Sequence, residues 1–127
     1  MVHMFLLGDW MTNLMPQVAS ILDNTDIEVL VYSGDKDWIC NWRGGEAWTS
    51  ATKWAKKDDF NAQPYEIWNN TDGTPAGEMR QFDNLHFLRV YDAGHMVPMD
   101  QPQNALEMLT RFIANDWTLT TPELLVQ

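Results

Sequence analysis

Two apolar runs in the chain break in the same way. "IEVLVYS", Ile27–Ser33, is β-branched and nearly all apolar, and Gly34 ends it. "LHFLRVYD", Leu85–Asp92, has the same character and runs into Gly94. Runs of this kind suit strands covered on both faces, as in a parallel sheet. Parallel neighbours need a long crossover between them, and the 58 residues from Asp37 to His95 leave room for one.

The segments around the runs supply helices. Residues Asn13–Asp23 fit one, with Met11, Leu14, Met15, Val18, Ile21 and Leu22 recurring every three or four positions. Thr12 or Asn13 suits its N-cap, and Pro16 falls in the first turn, where a missing N–H does little harm. A second helix is expected from Asn41 to about Lys56, with Trp48, Ala51 and Ala55 on one face and Gly44-Gly45 weakening its start. Short strands at Tyr65–Trp68 and Glu78–Phe82 flank the turn "NNTDGTPAG" and predict a hairpin. A last helix is expected over about Gln101–Asn115, with Asp100 as N-cap and Ala105, Met108, Leu109 and Phe112 inward. Residues 118–127 read as a loosely held tail.

Helix and strand alternate, which argues for an α/β domain with a parallel sheet. Two core strands are too few for a stable open sheet, so the expectation is one side of a larger one. The whole of residues 1–127 reads as a single segment of such a domain, and its apolar opening, Phe5-Leu6-Leu7, resembles the middle of a protein. No basic n-region or long apolar h-region marks a signal peptide.

Composition narrows the partners. A net charge of −10 argues against nucleic acid, whose binding rests on basic residues neutralising phosphates. It also disfavours anionic membrane surfaces, and no apolar run approaches the ~20 residues of a membrane span. The one cysteine, Cys40, allows no internal disulfide, and a small buried hydrophobe is its ordinary role. His3, His86 and His95 show no metal-ligand spacing, so no metal site is expected.

The two strand ends carry the chemistry. In open α/β sheets functional residues gather beyond the carboxyl ends of the strands. "GDKD" offers Asp35 and Asp37 there, and "AGHM" offers His95. A histidine base needs a carboxylate on Nδ1–H, which fixes the tautomer and stabilises the imidazolium. Acid before histidine is also the chain order of α/β-hydrolases. Spacing alone does not separate Asp35 from Asp37. No nucleophile accompanies them: the chain lacks G-x-S-x-G, and Ser20, Ser33 and Ser50 sit within expected helices and a strand. Cys40 is a nucleophile in principle but lies on the acid's own loop, where it fits a pocket wall better.

At these residues the chain closely resembles the serine carboxypeptidases, through "FLLGDWM", "VLVYSGDKDWICNW", "GGEAWT", "LRVYDAGHMVPMDQPQNAL" and the following "FI". The similarity runs from about Phe5 to Trp117. It implies the C-terminal part of an α/β-hydrolase fold, its last core strands and helices in an incomplete sheet. It implies Asp37 as triad acid, His95 as triad base, and Cys40 and Met96 as substrate-binding walls. The complete enzyme would hydrolyse peptides at their C-termini without a cofactor, and the missing N-terminal portion would supply the serine. The chain alone is expected to be inactive. The family implies a vacuolar, lysosomal or secreted location, with which the glycosylation sequon on Asn69, Asn69-Asn70-Thr71, is compatible. The alternative is a non-catalytic truncated product or interaction fragment.

Overall fold

The computed structural model describes residues 12–118; the tail beyond Thr118, and "FLLGDWM" with His3, lie outside the described residues. The elements in order are α1 (Met15–Asn24), β1 (Val29–Gly34), α2 (Trp42–Ala51), α3 (Lys57–Ala62), β2 (Glu66–Asn69), β3 (Pro75–Phe82), β4 (Leu85–Val90), α4 (Val97–Asp100) and α5 (Pro102–Ala114).

The sheet order is β1-β4-β3-β2. β1 and β4 pair in parallel with Gly34 opposite Val90, so the two strands end level. β3 pairs antiparallel with both β4 and β2. The expected hairpin is therefore part of the same sheet and covers one edge of β4. The outer edge of β1 has no strand partner among the described residues. Alternation sorts the core into two layers. Phe87 and Leu85 of β4 join Ala19, Leu22, Trp54 and Phe60 on one face. Leu88 and Val90 join Val97, Ala105 and Met108 on the other. Helices thus cover both faces, as a mainly apolar β4 requires.

Several expected boundaries move, each for a local reason. Leu14 occupies the cap position of α1 without a side-chain bond, while Asn13 Oδ1 accepts from the Met15 amide at 3.0 Å. Ala19 and Leu22 form the buried stripe; Leu14 and Ile21 are exposed. The strand expected at Ile27–Ser33 begins at Val29, and its Tyr32 faces solvent, so β1 is not covered on both faces.

The second helix stops at Ala51, not near Lys56. Thr52 is buried and its hydroxyl donates to the Trp48 carbonyl, after which Trp54 turns into the core. The chain restarts as α3, which the periodicity did not reveal. Thr49 and Thr52 face inward, whereas Ala51 and Ala55 face outward. Gly45 lets α2 approach the sheet: a Cβ there would lie 3.1 Å from the Phe87 ring.

In α5 the inward positions include a charged pair instead of Leu109, which is 50% exposed. Glu107 Oε2 accepts from Arg111 Nη2 at 3.3 Å and from the Thr71 amide at 3.0 Å. Arg111 Nη1 donates to the Asn69 carbonyl at 2.9 Å. These bonds tie α5 to the β2–β3 turn, which periodicity, treating charge as outward-facing, does not anticipate. Asp100 does not cap α5: it ends α4, and the side chain of Gln101, at the cap position, makes no cap bond to the backbone amides of the helix.

Candidate active site

Gly34 is the residue from which the site is built. A Cβ on it would meet the Ala93 carbonyl oxygen at 2.2 Å and the Gly94 oxygen at 2.4 Å, so only glycine fits. The turn after β1 consequently lies against the turn after β4. The Asp35 amide donates to the Val90 carbonyl and the Lys36 amide to the Ala93 carbonyl, both at 2.9 Å. Lys36 Nζ also pairs with Asp92 Oδ1 at 2.5 Å. Asp37 and His95 leave these two adjoining turns.

The Asp37 side chain is 5% exposed and that of His95 is 59% exposed, separated by 3.0 Å between Oδ2 and Nδ1. Asp37 Oδ1 accepts from the amides of Ile39 at 2.8 Å and Cys40 at 3.0 Å. Burial is the largest single influence on this carboxyl and pushes it up. The Cys40 amide, the His95 ring and the Ile39 amide together outweigh it and hold the group below its ordinary value. An ionised carboxylate only accepts, so Nδ1 of His95 carries the proton that Asp37 receives, and Nε2 is the nitrogen left for chemistry. Asp35 makes no bond to His95; its amide serves the turn, and its Oδ1 is buried without a partner among the described residues.

Cys40 is exposed, unlike the ordinary buried thiol. Its amide, not its sulfur, is committed to Asp37. Met96 follows His95 and is exposed as well. Trp38, 91% exposed, and Ile39 add apolar surface beside the acid. A groove of about 480 Å³ passes Cys40 and Ile39 along Tyr32 and Ser33 to Trp48. Cys40 and Ile39, the neighbours that donate to Asp37, line this groove, whereas Asp37 and His95 themselves do not. Asn69 is exposed at the end of β2, away from these two turns in sequence and sheet position.

Asp37, Cys40 and His95 each offer a ligand atom within 4.8 Å of the others. These are atom types a cation can use, but both Asp37 oxygens are already taken, Oδ1 by the Ile39 and Cys40 amides and Oδ2 by the His95 ring. Residue spacing did not suggest this set, because its members come from two turns brought together only by folding. A cation on the histidine would compete with proton transfer by the same ring. Two residues that serve the site carry no sign of that role in the sequence. Gly34 reads there as a strand stop, and Asp100, whose Oδ2 accepts from the Gly94 amide at 2.7 Å, as a helix cap.

Comparison with known proteins gives consistent relatives. Residues 2–115 match the family model described as serine carboxypeptidase. Carboxypeptidase Y of Komagataella phaffii is 46% identical over 111 residues, which cover 87% of this chain and 21% of that protein. Carboxypeptidase Y of Candida albicans is 43% identical over 110 residues, 87% of this chain and 20% of that protein. A serine carboxypeptidase-like protein of Oryza sativa subsp. japonica is 44% identical, across 91% of this chain and 26% of that protein. Among solved structures, a prohormone-processing carboxypeptidase from Saccharomyces cerevisiae superposes with a TM-score of 0.70 at 25% identity, covering 80% of this chain and 22% of that one. The chain spans 20% to 26% of the length of these curated relatives. The sheet and its helices are part of an α/β-hydrolase fold.

Proposed function

The chain belongs to the serine carboxypeptidase family, and on that premise we propose that it carries the acid and base of a serine-type peptidase that removes residues from peptide C-termini. The hydrogen bond between His95 Nδ1 and Asp37 Oδ2, at 3.0 Å, is the observation that carries this reading. His95 Nε2 takes the proton of a serine hydroxyl as its oxygen attacks the scissile carbonyl. It then passes that proton to the leaving amino acid, and a water repeats the exchange to free the acyl group. Asp37 holds the tautomer and stabilises the imidazolium formed in between. The serine comes from outside these 127 residues, which contain no G-x-S-x-G, so the chain by itself releases no amino acid.

The remaining assignments follow the same reading. Cys40 and Met96, exposed beside the pair, wall the substrate pockets; methionine suits such a wall because it is apolar and adaptable. Residues 1–127 form one segment of a single domain whose other portion pairs with the open edge of β1. The substrate is a peptide C-terminus, and no cofactor takes part. The setting is a vacuole, a lysosome or the extracellular space, and Asn69 carries a glycan. Its exposure supports that role.

The test is reconstitution. The chain is combined with the upstream portion of a family relative that contains the serine, and release of C-terminal amino acids from a peptide is followed. Hydrolysis that needs both parts, vanishes in His95→Ala and falls about 10⁴-fold in Asp37→Asn is expected. An assembled complex that cleaves nothing sinks the reading in favour of a non-catalytic fragment. A complex that cleaves esters but not peptides points to a different hydrolase. Release by the isolated chain, lost in His95→Ala, overturns the claim that the nucleophile lies elsewhere.

A further inference from the structure

We propose that Asp100 is a positioning residue for His95, acting on the backbone at both sides of it. This deepens the reading of His95 as the base and rests on that reading.

His95 is held by little of its own. Its side chain is more than half exposed, and the bond to Asp37 is what fixes the ring. A base of this kind must keep one nitrogen on the acid while the other meets the nucleophile. A 1 Å misplacement of such a group costs about 100-fold in rate. The orientation therefore has to come from the backbone on which His95 sits.

Asp100 supplies it. Its Oδ2 accepts from the amide of Gly94, the residue before His95, at 2.7 Å. Its own amide donates to the carbonyl of Met96, the residue after His95, at 3.1 Å. The Met99 amide donates to the same carbonyl at 2.8 Å. One residue thus closes the loop from both ends, with His95 between its two contacts. The first bond sits at the short end of the N–H···O range, as expected when the acceptor is charged. Gly94 completes the arrangement: a Cβ there would lie 3.1 Å from Asp100 Oδ2, so the carboxylate reaches the amide because the side chain is absent. No cap bond to α5 competes for it.

The experiment is nitrogen-15 NMR on the 127-residue chain, comparing the wild type with Asp100→Ala and Asp100→Asn. In the wild type, the Gly94 amide is expected to exchange with solvent at least about tenfold more slowly than an open loop amide. Asp100→Ala is expected to lose that protection and to shift the signals of the His95 ring nitrogens as the ring leaves Asp37 Oδ2. Asp100→Asn keeps an accepting oxygen and restores both, which a merely destabilised loop would not do. Unchanged His95 ring signals in Asp100→Ala overturn the proposal. So does an unprotected Gly94 amide in the wild type, which decides the matter even if the alanine variant does not fold. Asp37→Asn serves as the control: its failure to alter the His95 ring would break the acid–base reading and leave the Gly94 protection as a separate result.

Discussion

The α-carbon of Gly34 faces the carbonyl of Ala93 so closely that an added Cβ would sit 2.2 Å from its oxygen. Neither partner has a side chain able to yield, because the contact is with backbone. The same contact brings the turn bearing Asp37 against the turn bearing His95, and the 3.0 Å bond between them depends on it.

Gly34→Ala is accordingly expected to destabilise the chain by about 2–3 kcal/mol or more, within the range for overpacked sites. Gly44→Ala is the contrast. Its new methyl would meet nothing nearer than Asn41 Oδ1 at 3.7 Å, and it lies within α2. There the substitution is expected to be neutral or to stabilise by up to ~1 kcal/mol. Urea unfolding of both variants measures the difference, and equal midpoints would contradict the close-approach argument.

The acid limb of stability follows from Asp37. Its folded value is lowered, so its contribution is fully present above the unfolded carboxyl value of about 4 and is lost as pH falls through the lower folded value. Asp72, held down by the Thr74 hydroxyl and amide, and Asp116, held down by those of Thr118, act in the same direction. Melting temperatures recorded from pH 6 down to pH 2 should therefore fall, and fall less steeply in Asp37→Asn. Parallel curves for the two proteins would show that the native contacts of Asp37 are not the cause.

The buried pair in α5 makes a third expectation. The Arg111 and Glu107 side chains are 6% and 5% exposed, so removing one leaves the other charged in the core. Glu107→Ala is expected to cost about 3–5 kcal/mol, whereas joint replacement of both residues by apolar ones recovers much of it. A double-mutant cycle by chemical denaturation checks this; additive losses would mean the pair is not coupled.

Expression of the chain through a secretory route should add a glycan at Asn69, which is exposed at the end of β2. A gel shift removed by endoglycosidase and absent in Asn69→Gln is the expected outcome. An unshifted wild-type band would argue against the site.

Much of the fold was legible because periodicity reports burial directly. The alternation of the longer helices and strands, the parallel pairing of β1 with β4 and the hairpin follow from it, whereas α3 and the short α4 do not. It failed where a polar side chain is buried. Thr49, Thr52, Glu107 and Arg111 all face inward and make hydrogen bonds there that a hydrophobic pattern does not register, although Glu107 Oε1 and Arg111 Nε have no partner among the described residues. It failed again at α3, where a turn around Trp54 splits one apparent helix in two.

Strand ends, the residue types placed there and their order are readable from the amino acids alone, because strand character and turn chemistry are local. The sequence also carries the family, since "GDKDWICNW" and "GHMVPMDQP" survive as motifs. Spacing left Asp35 and Asp37 open, the family resemblance pointed to Asp37, and in the fold it is Asp37 that meets the histidine ring. Asp35 and Asp37 stand two residues apart, and the choice depends on how the turn after Gly34 closes against Ala93. Tertiary structure turned Asp100 back onto Gly94 instead of forward onto α5. Contacts between two turns 58 residues apart in the chain are set by strand register and backbone approach, and neither is written in either turn alone.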